Sequence, residues 1–355
     1  MVKLSPKQEK IVYYDGPNPL SVEAGPGAGK TRVIIERVKY LLNEKKVAPE
    51  SMLVITFTRK AADELKDRLS KDDIAKSDID LMQISTIHGF CSRILQESGA
   101  IGFDVIDDDL NEKNNMFISK HLKDLGFVDE FTVKPRDVRD IVRKYNEYTT
   151  FKVDTKCLTE YIKETRPISM EYLTFVKNYM EENDGKFPFN EIHDDKDLKK
   201  SYYNAKYLKI AESYPKYLQL LEDENLTDFS LMQVNTLKHL ELNPKTQFTN
   251  VLIDEFQDTD PVQMKIFATL MENADSFMVV GDVEQSIYGF RGSIENYFKK
   301  LYDDHGDNVE KMDLSTNYRS TNEIIDFSEK YIHDQKIKHS SKSDADGARN
   351  VSRDI

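Results

Sequence analysis

The chain has 355 residues, of which 39% are hydrophobic, and its 63 acidic residues outnumber 50 basic residues to give a net charge of −13. This length predicts about two domains, and the hydrophobic content is sufficient for a sizeable core. The acidic balance excludes a protein that is basic throughout, but nucleic-acid binding depends on where the lysines and arginines lie. Two widely spaced cysteines, no signal-peptide core and no run of about 20 apolar residues predict a cytoplasmic protein without disulfides, a zinc site or a membrane span.

The first predicted elements are a short strand, a glycine-rich loop and a helix, in the stretch SVEAGPGAGKTRVI at residues 21–34. This order predicts a P-loop, in which backbone N–H groups and the helix N-terminus surround the phosphates of a nucleotide. We expect Lys30 to reach the β- and γ-phosphates and the Thr31 hydroxyl to bind Mg²⁺. The strict P-loop pattern begins with glycine, and this stretch has another residue at that place. The alternative is therefore a glycine-rich turn that only joins a strand to a helix. The loop residues expected to hold the nucleotide are Ala24, which takes the place of that glycine, and Gly25, Pro26, Gly27, Ala28 and Gly29.

Short apolar runs further along the chain predict buried parallel strands. They lie at residues 20–22, 52–57, 251–253 and 277–280, with a weaker candidate at 81–85. The last three of the four run directly into polar residues, as functional loops do at the carboxyl ends of strands in an open α/β sheet. Between about 98 and 226, charged and aromatic residues alternate at helical spacing, which predicts a mostly helical insertion dividing one α/β domain. The polar tail, 339–355, has no periodicity and is predicted to be loose.

Two of these predicted strands lead into motifs that complete a nucleotide site. In VLIDEFQDTD, Asp254 suits a metal ligand and Glu255 suits a general base, although two solvated carboxylates at a strand end are the alternative. In VVGDVEQSIYGFRGS, Gln285 could reach the γ-phosphate, and Phe290 and Arg291 could face a ligand beyond it. An aromatic residue beside an arginine suits the binding of single-stranded nucleic acid. The alternative is that the phenylalanine belongs to the core and the arginine pairs with a carboxylate.

Seven motifs, in order from residue 4 to about 328, resemble the N-terminal motor part of the UvrD/Rep/PcrA family of superfamily 1 DNA helicases. They are LSPKQ, AGPGAGKT, TFTRKAADELKDRL, ISTIHGFCSRIL, DEFQDT, GDVEQSIYGFRG and NYRS. The resemblance implies an α/β fold: a RecA-like P-loop NTPase domain with a parallel sheet, split by a helical 1B-like subdomain. Its expected parts are residues 1–97 and 227–314 for RecA-like domain 1A, 98–226 for the insertion, and 315–355 for the start of a truncated second motor domain and a loose tail.

The same resemblance implies an enzyme that couples hydrolysis of ATP, with Mg²⁺, to 3′–5′ movement on single-stranded DNA or at a single-strand/duplex junction, in DNA repair or recombination. Gln8 would read the adenine edge, while Arg32 and Tyr318 would lie against the adenine. Gln285 and Arg319 would sense the γ-phosphate, with Arg319 as an arginine finger. The implied DNA contacts are Phe57, Thr58, Arg59, Thr86, His88, Tyr288, Phe290 and Arg291.

The sequence departs from the family pattern at several places. Arg59 stands where the family usually has asparagine, and Gly289 and Phe290 stand where many members have arginine and tryptophan. The family's later motifs do not follow NYRS, so we expect a C-terminal extension or a protein partner to supply a second motor lobe. The alternatives are an ATP-gated DNA-binding switch without autonomous unwinding, and a different P-loop ATPase, against which QSIYGFRG argues. The run KPRDVRDIVRKY, residues 134–145, is either a phosphate-contacting face or a solvated helix face.

Overall fold

The structure is a computed structural model, and it describes residues 3–72, 74–99, 104–106, 112–127, 135–285, 297–326 and 342–343. The chain divides into two compact units. The sheet unit contains Met1–Ile94 and Thr236–Ile355, and the helical unit contains Leu95–Asn235. The α/β class with a mostly helical insertion, predicted from the sequence, is confirmed.

Ten strands are described. They are β1 (Leu20–Ala24), β2 (Met52–Thr56), β3 (Gln83–Thr86), β4 (Asp104–Val105), β5 (Leu226–Thr227), β6 (Asn250–Ile253), β7 (Ser276–Gly281), β8 (Glu310–Leu314), β9 (Thr316–Asn317) and β10 (Lys342–Ser343). Six of them form one sheet in the order β3-β2-β6-β7-β1-β8, with every neighbouring pair parallel. Two-residue pairs join β4 to β5 and β9 to β10.

The helices that the structure describes cover the sheet and build the helical unit. They are α1 (Pro6–Val12), α2 (Lys30–Asn43), α3 (Arg59–Lys71), α4 (Lys76–Leu81), α5 (Ile87–Glu97), α6 (Glu112–Lys120), α7 (Pro135–Thr150), α8 (Thr155–Thr165), α9 (Met170–Glu182), α10 (Phe189–Asp194), α11 (Lys196–Asp223), α12 (Phe229–Leu242), α13 (Pro261–Asn273) and α14 (Tyr297–His305). Among the described residues, no helix is both long and apolar enough to cross a bilayer.

The main strands of the sheet are apolar because helices cover both of its faces. Every residue of β2 and β6 is buried. From α3, Ala62, Leu65 and Leu69 join the same core at helical spacing, while the intervening residues are mostly exposed. The four apolar runs predicted as strands are confirmed as β1, β2, β6 and β7.

Two strands of the sheet differ from the sequence prediction. The candidate at 81–85 began too early, because Leu81 ends α4 and the strand starts at Gln83. The edge strand β8 was not predicted. Its Lys311 and Asp313 are exposed and Leu314 is buried, so it has no continuous apolar run. An edge strand tolerates this pattern because it pairs on one side only.

The helical unit has its own core, in which tyrosines from α7 and α11 meet. The rings of Tyr145 and Tyr217 stack with centroids 4.5 Å apart, and the Tyr145 hydroxyl lies 2.7 Å from Ser213 Oγ. A buried lysine of α11, Lys206, contacts Asp137 Oδ1 of α7 at 2.5 Å, and Asp140 at 3.4 Å. These polar contacts fix how α7 lies against α11, because each buried polar group needs its partner.

Loss of an apolar side chain from the centre of the sheet should destabilise the sheet unit. Leu252 in β6 is 2% exposed, so Leu252→Ala should lower the free energy of unfolding by about 2–5 kcal/mol through lost burial and a cavity. Leu242, at the end of α12, is 81% exposed, and Leu242→Ala should change it by less than about 0.5 kcal/mol. Urea unfolding followed by circular dichroism measures both, and equal effects of the two substitutions would contradict this packing.

Candidate functional site

The glycine-rich loop lies between the end of β1 and the first residue of α2. Gly27 and Gly29 have φ angles of +69° and +89°, a region that other residues adopt only with strain. The Ala28 N–H donates to the Gly25 carbonyl at 3.2 Å, which folds the loop back on itself. No side chain among the described residues caps α2, so its first N–H groups point toward the loop and can bind an anion.

The acidic motif follows β6 directly. The Asp254 N–H donates to the Ile55 carbonyl at 2.8 Å, which extends the pairing of β6 with β2 by one residue. Glu255 then has φ 52° and ψ 43°, in the left-handed region. Its N–H donates to Asp254 Oδ1 at 3.0 Å, so the turn holds the two carboxyl groups in a fixed relation. Such strain in a residue other than glycine is commonly found at functional sites.

Lys30 and Glu255 meet although 225 positions separate them in the sequence. The Lys30 Nζ atom lies 3.0 Å from Glu255 Oε2. The Lys30 side chain is 13% exposed and that of Glu255 is 34% exposed, so the ion pair is partly shielded from water. The two side chains reach each other because β1 and β6 lie on either side of β7 and end at the same edge of the sheet.

Asp254, directly after β6, is a half-buried carboxyl group next to Glu255. Burial, reinforced by the negative charge of Glu255, raises the pKa of Asp254 to about 7, while the hydrogen bond from the Glu255 N–H and the charge of Lys30 act in the opposite direction. A divalent cation would favour the ionised form. The donor set at this edge fits Mg²⁺, because Asp254 and the half-buried Thr31 offer the oxygen ligands that a hard cation prefers.

The segment after β8 closes over the loop. The Tyr318 N–H donates to the Gly27 carbonyl at 2.9 Å. Asn317 Oδ1 accepts hydrogen bonds from the Arg319 N–H at 2.8 Å and the Ser320 N–H at 2.9 Å, which fixes a tight turn. A Cβ atom on Gly27 would lie 2.6 Å from Asn317 Oδ1, so only glycine fits there. The exposed Arg319 is thereby placed beside the loop.

Gln8 lies on the other flank of the loop. With Ser5 it forms a capping box for α1, in which Gln8 Oε1 accepts the Ser5 N–H at 3.0 Å. Its side chain is buried, and a Cβ atom on Gly29 would lie 2.9 Å from Gln8 Nε2. The amide of Gln8 is therefore held next to the last glycine before Lys30. Arg32, in the first turn of α2, is half-buried, and Gln285 is exposed at the end of a single turn after β7.

The candidate DNA-contacting residues that the structure describes follow β2 and β3, at the same edge of the sheet. Phe57, Thr58 and Arg59 are exposed, while Thr86 and His88 are half-buried. The two threonine hydroxyls cap helices: Thr58 accepts the Ala61 N–H at 3.1 Å and Thr86 accepts the Gly89 N–H at 3.2 Å. The other three candidates, Tyr288, Phe290 and Arg291, lie outside the described residues.

Two polar residues in this region were not assigned a role from the sequence. Asn317 fixes the turn beside Gly27, and Gln257 bonds to Glu255 and to the Asp282 N–H. Both lie inside quoted motifs, NYRS and DEFQDT, but their partners are backbone or side-chain groups that only the folded chain brings within reach. The motifs identify these two positions in the sequence, and the contacts in the folded chain show what each side chain binds.

The parallel sheet, the glycine loop before α2 and the acidic pair at the end of β6 define an α/β P-loop nucleotide-binding domain. The sequence model of the protein family described as UvrD/REP helicase N-terminal domain matches residues 4–306 of this chain. The chain belongs to this family.

Curated relatives are similar to this chain over most of its length. A protein named "Probable DNA helicase II homolog" from Mycoplasma capricolum is 28% identical over 329 residues, 90% of this chain and 40% of that protein. "ATP-dependent DNA helicase PcrA" from Staphylococcus epidermidis is 27% identical, over 95% of this chain and 40% of that protein. The protein of the same name from Leuconostoc citreum is 28% identical, over 87% of this chain and 36% of that protein. The chain therefore spans about 40% of the length of these relatives.

A side chain at position 27 should weaken nucleotide binding. Gly27→Ala both strains a positive φ and pushes on Asn317 and Arg319, so we expect at least an approximately tenfold loss of affinity for a fluorescent ATP analogue. Gly99 also has φ +69°, but a Cβ atom there meets nothing within 4 Å. Gly99→Ala is therefore a control for the backbone strain alone, and it should leave affinity unchanged. Equal losses in both variants would show that crowding at the loop is unimportant.

Proposed function

We propose that the chain is the ATP-binding motor portion of a DNA helicase or translocase, which couples ATP hydrolysis to 3′–5′ movement on single-stranded DNA in repair or recombination. The contact between Lys30 and Glu255 is the observation that supports this most directly. It places a phosphate-binding lysine and a candidate base at one point of a sheet edge. The names of the relatives, DNA helicase II homolog and PcrA, agree with this proposal.

In this proposal the loop N–H groups and Lys30 bind the triphosphate, while Gln8, Arg32 and Tyr318 hold the adenine. Thr31 and Asp254 hold Mg²⁺, which when bound neutralises charge on the β- and γ-phosphates. Lys30 contacts Glu255 at 3.0 Å, within reach of the loop that would bind the phosphates. A γ-phosphate offers Lys30 a second anionic partner, which weakens its hold on Glu255 and lets that carboxylate take a proton from the attacking water.

Gln285 and Arg319 complete the site by contacting the γ-phosphate. The turn built by Asn317 places Arg319 next to Gly27, which is consistent with an arginine finger acting from the segment after β8. We propose that translocation also requires a second motor lobe, supplied by further chain or by a protein partner.

The surface beyond the nucleotide would bind the DNA strand. Phe57 offers an exposed ring for base stacking, and Arg59 offers a charge for a phosphate. Neighbouring strands lie about 4.8 Å apart, so β2 is about 14 Å from β1 across the sheet. The hydrogen bond from the Asp254 N–H to the Ile55 carbonyl joins the acidic motif to the strand that leads into Phe57, and it offers a short route of communication.

In this proposal one face of α7 would contact DNA phosphates. Arg136, Arg139 and Arg143 are exposed, and their spacing places them on one helix face. The neighbouring Asp137 and Asp140 contact Lys206. The positive charge of this lysine offsets much of their negative charge near the arginines. Asp140 also reaches Arg143 at 3.4 Å, but an exposed pair of this kind is weak.

The proposed activity is tested by measuring ATP hydrolysis with and without single-stranded DNA. We expect DNA to raise kcat, and Glu255→Gln to lower kcat by about 10²–10⁴-fold because it removes the base. Affinity for ATP should survive in Glu255→Gln. Lys30→Ala should instead lose that affinity. ATP binding that controls DNA binding without DNA-stimulated turnover would favour the ATP-gated switch, and unaltered ATP affinity in Lys30→Ala would overturn the site.

The role of α7 is tested by the salt dependence of DNA binding. Each phosphate contact contributes about −0.9 to the slope of log K against log salt for duplex DNA. Replacing both Arg136 and Arg139 with glutamine should therefore make the slope for a junction less steep by about 1.8. Arg166, exposed at the end of α8, is the control, and Arg166→Gln should leave the slope unchanged. An unchanged slope in the double variant would indicate a solvated helix face.

A further inference from the structure

We infer that Gln257 is a positioning residue for hydrolysis: it orients the Glu255 carboxylate and ties it to the end of β7. This inference rests on the proposed function, in which Glu255 is the base. Gln257 lies in the single turn Phe256–Asp258, directly after the left-handed Glu255. That conformation turns the chain back toward the sheet edge, so the Gln257 side chain is only 6% exposed.

Each end of the Gln257 amide has a specific partner. Its Nε2 donates to Glu255 Oε2 at 2.8 Å and, more weakly, to Asp258 Oδ2 at 3.5 Å, and its Oε1 accepts the Asp282 N–H at 2.8 Å. Rotating the amide by half a turn would place oxygen against the carboxylate and an N–H₂ group against an N–H. One orientation therefore satisfies both partners, and the contacts with Glu255 and Asp282 specify it.

The hydrogen bonds to Glu255 are not shared equally between its oxygens. Lys30 Nζ and Gln257 Nε2 both donate to Oε2, at 3.0 and 2.8 Å. Among the residues that the structure describes, Oε1 receives no such donor, so it is the oxygen left to accept a proton from water. A phosphate would compete with Glu255 for Lys30, whereas the Gln257 Nε2 contact to Oε2 does not depend on the lysine. The amide would thus hold the carboxylate in one rotamer whichever partner Lys30 contacts.

The same amide connects the base to the segment after β7. Asp282 immediately precedes the turn Val283–Gln285, which ends in the proposed γ-phosphate contact. Gly281 leaves the room that this connection needs, because a Cβ atom there would overlap Gln257 Oε1 and lie 3.0 Å from the Phe256 backbone nitrogen. The close approach of the two segments therefore depends on an amide at 257 and on glycine at 281.

A purely structural role for Gln257 predicts a loss of stability, whereas a positioning role predicts a selective loss of kcat. Gln257→Met keeps the length of the side chain and removes the hydrogen bonds of the amide to Glu255, Asp258 and Asp282. We expect its kcat in the presence of Mg²⁺-ATP and a poly-dT oligonucleotide to fall about 10–100-fold, the range typical of groups that orient a reacting residue. The KM for ATP and the affinity for a fluorescent ATP analogue should change less than about threefold, since Lys30 and the loop remain.

Two further variants test the same contacts, with kcat compared against ATP affinity and Tm in each. Gln257→Glu retains an oxygen for the Asp282 N–H but places a carboxyl group against Glu255, so kcat should fall while the affinity for ATP changes less than about threefold. Gly281→Ala displaces the amide from the other side and should lower kcat in the same way. Gln263, half-buried on α13, caps its own helix by accepting the Asp260 N–H at 3.3 Å. Gln263→Met is the matched control and should keep the wild-type kcat.

The outcomes separate this inference from the proposed function. Wild-type levels of kcat in Gln257→Met and Gln257→Glu, with the unmodified protein active, would overturn the positioning role alone. A parallel loss of kcat, ATP affinity and Tm in all the variants at 257 and 281 would also overturn it, in favour of a structural role. If the unmodified protein binds ATP but does not hydrolyse it with or without DNA, the proposed function fails and the positioning role fails with it.

Discussion

The site depends on one constraint, which is that all six strands of the main sheet run in the same direction. Parallel strands deliver every loop at their carboxyl ends to a single edge. The glycine loop leaves β1 there, the acidic pair leaves β6, and Gln285 follows β7. One antiparallel strand among these would send its motif to the opposite edge, more than a strand length away. The ion pair between Lys30 and Glu255 is a consequence of this arrangement, and it shows that side chains from non-adjacent strands reach each other.

The charges at this edge are arranged for an anion accompanied by a cation. Lys30 faces two carboxyl groups, Asp254 and Glu255, of which it contacts the second. Burial and the charge of Glu255 raise the pKa of Asp254 more than the charge of Lys30 lowers it, so a further positive charge would favour the ionised form. In the proposed function Mg²⁺ would supply positive charge there, and the phosphates would lie at the loop and at the N-terminus of α2, which no side chain of the described residues caps. Each component of Mg²⁺-ATP would therefore meet a group of complementary charge in the proposed site.

The sequence predicted those parts of the structure that local pattern determines. Continuous apolar runs identified β1, β2, β6 and β7, because a strand covered on both faces must be apolar throughout. The same rule could not find β8, where exposed Lys311 and Asp313 interrupt the run. The glycine loop and the acidic pair were recognisable from residue type and spacing. The roles of Asn317 and Gln257 were not, because their partners, Gly27 with its neighbours and Asp282 with Glu255, are set by tertiary contacts. The catalytic and DNA-binding roles of the named residues stay predictions.

The central claim is that nucleotide and DNA bind at one edge of one sheet and therefore influence each other. The most direct measurement is the affinity for a fluorescent single-stranded oligonucleotide with and without a non-hydrolysable ATP analogue and Mg²⁺, together with the reverse titration. Linkage requires the same factor in both directions, and coupling of this kind is typically about 5–150-fold. We predict a change of at least about fivefold that is equal in the two titrations. If both ligands bind and neither alters the affinity for the other, the account is contradicted.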